Sequence, residues 1–385
     1  MKESTMEVTT RTALRNIAID MERNHLDRKD EIRGLMLAAI SREHILFLGP
    51  PGSDKTRMSI DFASYFEDSK FFFWLMGAFT TPDEIFGTTS LASLKEDVVK
   101  RIPTNKLPVA DFAMLDEIFK ASSAINNTLL HIMQERMYDF GGVETESPLQ
   151  FVIAGSNELP ADDDKLRALY DRFSLRYNVE YIGDDLIFDK LLTMFINHRH
   201  NQGIAQTIVH ETAHITLEAL NKAQIECAKL PFSDGAIESI KMLWNVCLEM
   251  KIVVSERRWG KLLNIMQADA WYEGQEQVES INLMVGCHML WDEPEQISNI
   301  RKTVQGCIDP DLTKAQALEE AADAVKMEFA SQKRTMSSGE VAQAMESLKE
   351  HKHELKKLKQ STSVQVIGNK IMGYLDEMAT HIRNS

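Results

Sequence analysis

Residues 44–56 read HILFLGPPGSDKT: an apolar run, a glycine-rich turn, then a lysine and a threonine ahead of helix-forming residues. That order suits a loop that cradles phosphate. Glycines let backbone N–H groups curl around anionic oxygens, and the N-terminus of the following helix adds partial positive charge. In such a loop, made of Gly49, Pro50, Pro51, Gly52, Ser53, Asp54, Lys55 and Thr56, the lysine reaches the outer phosphates of a nucleotide. The Thr56 hydroxyl would ligate Mg²⁺. One position departs from the usual pattern, because Asp54 stands where a glycine normally precedes the lysine. A carboxylate there meets phosphate oxygens unless it points outward. Taken alone, the stretch also fits a strand-to-helix turn that merely looks like a phosphate loop.

A second signal, about sixty residues on, is FAMLDE at 112–117, an apolar run ending in two carboxylates. Asp116 at a strand tip suits coordination of Mg²⁺ through water, and Glu117 suits polarising an attacking water. The competing role for Glu117 is an N-terminal charge on the next helix. A third is the apolar run 151–154 leading to Gly155-Ser156-Asn157. There the Asn157 amide could hold the attacking water or the outermost phosphate, or simply make a turn. A fourth is LYDRFSLRY at 169–177, where i, i+4 spacing sets Arg172 and Arg176 on one face. Either can be a surface ion-pairing residue or a cation aimed at phosphate.

These residues need a frame. Through residue 190, strand-length apolar runs alternate with helical patterns: 44–48, 71–76, 112–115, 151–154 and, more weakly, 177–181. The alternation predicts an α/β domain with a five-stranded parallel sheet and crossover helices. From 216 to 274, apolar residues fall at helical spacing, punctuated by turns at 231–234 and at Gly274. Beyond Pro294 the chain is charged and rich in Ala and Lys, with helices expected at 311–336, 339–360 and 364–382. Apolar residues such as Val341, Leu348 and Leu355 predict that this tail packs. The boundaries read as 1–190, 191–275 for a helical lid, and 276–385 for an all-α C-terminal domain.

Composition narrows the classes. A net charge of −15 over 385 residues argues against a surface built mainly to hold nucleic-acid backbone, although a local basic patch would not alter that sum. Nucleic acid is therefore not the expected partner. No long uncharged apolar run occurs, and the first 25 residues alternate charge too finely for a secretory segment. With four widely spaced cysteines, Cys227, Cys247, Cys287 and Cys307, read as reduced core thiols, the expected location is the cytoplasm. The segment His210-Glu211-Thr212-Ala213-His214 spells the HExxH pattern of zinc metalloproteases. It lies just before Thr216, a good helix cap, so a linker is expected in place of a mid-helix zinc face. His198 and His200 are expected to face solvent.

GPPGSDKT at 49–56, TTPDEIFG at 80–87, MLDEIFKASSAINNTLLHIMQER at 114–136, SNELP at 156–160 and ALYDRF at 168–173 occur in family order. Together they resemble the MoxR group of AAA+ ATPases, most closely its RavA branch, over residues 10–275. The resemblance implies a P-loop ATPase domain, a helical lid, ATP and Mg²⁺ as ligands, and a hexameric ring with ATP between subunits. It makes Asn157 similar to sensor 1 and Arg172 similar to the arginine finger offered to a neighbour. SERRW at 255–259 is similar to the sensor 2 region, with Arg257 the better of its two arginines. The segment 136–150, with Gly141-Gly142, falls where the family inserts a β-hairpin. The resemblance also implies chaperone-like work on a protein client, with a motor acting on nucleic acid as the alternative, and partners bearing von Willebrand A domains. The region after the lid is too short to carry the RavA branch's extra folded module as well.

Overall fold

The structure is a computed structural model that describes residues 2–95, 100–161, 163–200, 214–332, 336, 338–358 and 362–384. The chain divides into two compact units, residues 1–237 with 252–297, and residues 238–251 with 298–385.

The first unit is built on five parallel strands: β1 (His44–Leu48), β2 (Phe71–Leu75), β3 (Phe112–Asp116), β4 (Phe151–Ser156) and β5 (Phe173–Asn178). Their order across the sheet is β5-β1-β4-β3-β2. The interior strands are buried along nearly their whole length, as expected of a parallel sheet covered on both faces. Only β2, at an edge, leaves apolar side chains in the open, with Phe73 41% and Leu75 59% exposed. Helices α1 (Lys2–Asn24), α2 (Lys29–Ser41) and α3 (Lys55–Ser64) flank the sheet. Phe62 of α3 packs edge-on against Phe112 and Phe151, which ties that helix to the middle of the sheet.

Two expectations are corrected here. The fifth strand is not 177–181 but Phe173–Asn178, and Arg172 and Arg176 do not share a helical face. Arg172 sits in the turn before β5 and Arg176 within the strand. Arg176 is fully buried, yet its guanidinium donates to the carbonyls of Phe173, Tyr170 and Trp291 and to Asp292 Oδ1. It also lies over the Tyr170 ring, 3.8 Å from the centroid. A buried cation so fully partnered is tolerated in mid-strand, and it hid the strand from an apolar-run reading.

The hairpin is present: Met137–Asp139 pairs antiparallel with Glu144–Glu146 around Gly141 and Gly142. Thr216 caps the helix Leu217–Cys227, its hydroxyl accepting from Ala219 N, and Ser255 caps Glu256–Tyr272 in the same way. In the second unit, helices Pro310–Gln332, Ser338–Lys357 and Thr362–Asn384 pack around Phe329, Leu348, Leu355, Ile371 and Met378. The tail therefore packs into a core of its own. All four cysteines are buried, and none of them forms a disulfide among the described residues. Among the described residues, no helix is long and apolar enough to cross a membrane.

Candidate nucleotide-binding site

Parallel pairing with aligned registers brings the carboxyl ends of three strands to one place. Leu48 lies opposite Ser156, and Leu115 opposite Ala154, so the turns after β1, β3 and β4 open side by side. Ligands of open α/β sheets bind at such a crevice, where the chain reverses the side to which strands are added. Here β1 has β4 on one side and β5 on the other.

Two glycines make room for this crowding. At Gly49 a Cβ would come 2.0 Å from the Val179 carbonyl oxygen, so only glycine lets the loop leave β1 there. At Gly155, buried inside β4, a Cβ would fall 2.4 Å from Asp116 Oδ1. The missing side chain is the space that the Asp116 carboxylate occupies.

The side chains singled out in the sequence then meet. Lys55 Nζ donates to the carbonyls of Gly49 (2.7 Å) and Pro50 (2.8 Å) and to Asn157 Oδ1 (3.2 Å). Thr56 Oγ1 donates to Asp116 Oδ2 at 2.8 Å, and Asp116 Oδ1 accepts the backbone N–H of Glu117 at 3.0 Å. Asn157 Nδ2 donates to Glu117 Oε1, while Glu117 Oε2 lies 3.2 Å from Lys120 Nζ. Glu117 itself holds a left-handed backbone, φ 52 and ψ 44, a costly state for a non-glycine residue that clusters at functional sites. Burial holds the Lys55 ammonium below its usual range. The charges of Asp116 and Glu117 oppose that shift, and Arg28 adds to it.

These groups line a pocket of about 380 Å³ together with Pro51, Ser53 and Arg57. Helix α3 begins at Lys55, so its first backbone N–H groups, which have no partner within the helix, open onto the same space. The arrangement offers cationic and N–H donors on one side and hard oxygen ligands on the other. Thr56 and Asp116, already 2.8 Å apart, are an all-oxygen pair that fits Mg²⁺.

A second pocket of about 330 Å³ continues from Gly52–Asp54. Its apolar wall includes Leu26, Tyr181, Phe188, Leu191 and Phe195. Asn24 Nδ2 and Arg28 Nε, on residues that line it, are buried without hydrogen-bond partners. Tyr181 Oη donates to the Pro51 carbonyl, which ties the two pockets together. A planar, mostly apolar heterocycle with a few polar edges suits this space beside a phosphate loop. Sequence reasoning missed all of these residues, because nothing in their spacing brings positions 24–28 and 181–195 together.

The remaining candidates lie apart from this cluster. Arg172 and Arg257 are absent from the linings of both pockets. Burial, then the charge of Arg257, lowers the Arg172 pKa, and Arg172 Nε is buried without a hydrogen-bond partner. The other arginine of the SERRW segment, Arg258, is buried and ion-paired with Asp171 (2.9 Å) and Asp292 (3.5 Å). Of the HETAH segment only His214 falls among the described residues, and 210–213 lie outside them. Residues 198 and 200 end the helix Asp185–His200, and their side chains are outside the description. Among the described residues no group of three or more His, Cys, Asp or Glu could hold a metal ion.

With this geometry in view, residues 12–220 match the model of the MoxR domain found in MoxR–vWA–β-propeller ternary systems, and residues 236–304 match an AAA lid domain. The chain belongs to the MoxR group of AAA+ ATPases. An uncharacterised protein of Methanocaldococcus jannaschii is 32% identical to this MoxR chain over 289 residues, covering 74% of each. The chaperone MoxR1 of Mycobacterium tuberculosis is 28% identical over 163 residues, 39% of this chain and 40% of that one. A solved structure from Cytophaga hutchinsonii, described as a candidate ATPase, superposes with a TM-score of 0.62 at 18% identity. It covers 80% of this chain and 96% of its own, and it supports the fold.

Proposed function

We propose that this MoxR protein hydrolyses ATP to ADP and phosphate and uses the energy to remodel or assemble a protein client. The observation that carries the reading is the meeting of Lys55, Thr56, Asp116, Glu117 and Asn157 around one pocket. In this reading the base enters the apolar pocket beside Asn24 and Tyr181, and the phosphates lie along residues 49–56. Lys55 releases its carbonyl partners to hold the outer phosphates. Thr56 and Asp116 hold Mg²⁺, which when bound neutralises phosphate charge. Glu117, ordered by Asn157, takes a proton from the attacking water.

Arg172 is proposed as the finger that a neighbouring subunit's ATP receives, in a ring of six. Its partnerless Nε supports this, whereas each guanidinium nitrogen of Arg176 donates a hydrogen bond inside the fold. Arg257, whose charge is felt at Arg172, belongs with it in this proposal. The family's description supports a von Willebrand A domain protein as partner, and the motif order supports a place near the RavA branch. The net charge of −15 favours protein over nucleic acid as client. Four buried cysteines outside any disulfide support work in the cytoplasm. The division 1–190, 191–275 and 276–385 is proposed as ATPase domain, lid and C-terminal domain.

Two variants test the site. Lys55→Ala should lose ATP binding in calorimetry, because a cation facing the phosphates is gone. Glu117→Gln should still bind ATP and turn over at least about 100-fold more slowly, since an amide cannot accept the proton of water. Equal ATP affinity in Lys55→Ala and wild type would remove the phosphate-loop assignment.

A further inference from the structure

Asp54 does not stand alone in the loop. Its Oδ2 lies 2.5 Å from Nδ1 of His25, the residue that follows α1, and the other ring nitrogen, Nε2, lies 2.8 Å from Asp61 Oδ2 on α3. The His25 and Asp61 side chains are fully buried, and Asp54 retains 27% exposure. Ionised carboxylates only accept hydrogen bonds, and a neutral imidazole donates through one nitrogen only. Two carboxylates on one ring therefore call for the doubly protonated, cationic form. Asp54 borders both pockets, on the path where phosphates would run. Its backbone, at φ 74, is one that glycine adopts without cost and aspartate with little.

We propose that His25 is a positioning residue of the phosphate loop: clamped between Asp54 and Asp61, it holds the Asp54 carboxylate on the α1 side and offsets its charge. A loop with an acid in place of glycine then still accepts a nucleotide. The proposal rests on the nucleotide reading above and adds to it a residue that no phosphate-loop pattern contains. Because His25 lies between Asn24 and Leu26 of the second pocket, the clamp also fastens that wall to the loop. His25 touches no substrate in this account; it acts through Asp54.

The test is a fluorescence titration of full-length protein with a ribose-labelled ADP. His25→Ala should bind about tenfold more weakly, the order expected for one uncompensated charge near the phosphates at an effective dielectric of about 20. Asp54→Asn should bind at least as tightly as wild type. The double variant His25→Ala/Asp54→Asn should recover to within about threefold of Asp54→Asn, because no carboxylate is left to offset. A double variant as weak as His25→Ala would mean that His25 merely supports the fold, and wild-type affinity in His25→Ala would dismiss the clamp. His25→Gln, which retains one amide donor without charge, serves if the alanine variant fails to fold, and it should show the same loss and the same rescue. Lys55→Ala runs alongside: if it binds as wild type does, the nucleotide reading fails, and if it loses binding while His25 variants do not, the clamp alone fails.

Discussion

At the residue scale, Asp54 is where this chain departs from a glycine-bearing phosphate loop, and the partner that accounts for the departure is His25. Burial alone would lower the His25 pKa, but hydrogen bonds and charge from Asp54 and Asp61 outweigh it and the net shift is upward. The sign of the stability effect follows. A group whose folded pKa is raised contributes stability that is complete below its unfolded pKa, about 6.5, and is lost as pH rises through the folded value. The urea midpoint of wild type should therefore exceed that of His25→Gln most near pH 6, and the gap should narrow by about pH 9. A gap that is flat across that range would show that His25 is neutral throughout. At this scale the sequence displayed Lys55, Thr56, Asp116 and Glu117, because the phosphate and metal chemistry proposed for them requires those types in a local order. It concealed His25, Asn24 and Tyr181, whose partners lie far along the chain: His25 is 29 residues from Asp54, and Tyr181 is 130 from Pro51.

At the scale of elements, four of the five strands were legible because a parallel sheet buried on both faces demands unbroken apolar runs. The fifth was not, since Arg176 interrupts its run and is reconciled with burial only by Tyr170, Trp291 and Asp292. The crowding between β3 and β4 was equally hidden: 151–154 reads as a strand that ends before Gly155, yet that glycine lies inside the strand and makes the space for Asp116. Gly155→Ala should thus do more than strain the sheet. With a methyl group 2.4 Å from Asp116 Oδ1, the carboxylate must shift, which disturbs its bond to Thr56. A loss of about 1–3 kcal/mol in urea unfolding is expected from the overpacking. The more telling expectation is that Mg²⁺ should strengthen nucleotide binding less than in wild type, measured by titration with and without the ion. If Mg²⁺ helps the variant as much as wild type, Asp116 is not held in place by that glycine.

At the scale of the whole molecule, helices of the tail were legible from spacing alone, since 311–336, 339–360 and 364–382 were expected and 310–332, 338–357 and 362–384 are found. What spacing could not supply is any relation between copies of the chain, and the proposed ring turns on Arg172. An arginine stabilises charge on a transferring phosphoryl group only if it reaches that group. Arg172 lines neither of the two pockets described above, and in the proposed ring it reaches the site of a neighbour. Arg172→Ala should then bind ATP and hydrolyse it at least about 100-fold more slowly. Lys55→Ala should be inactive for a different reason, failure to hold ATP. When the two are mixed, a subunit with an intact loop can face one with an intact Arg172. Steady-state turnover should rise above that of either variant alone and peak at an intermediate mixing ratio, once subunit exchange has been verified by energy transfer between labelled copies. Exchange without any recovered turnover would count against a role in trans. An Arg172→Ala protein with wild-type turnover would end it, and Arg257, next to it in charge and exposed, would be the arginine to replace next.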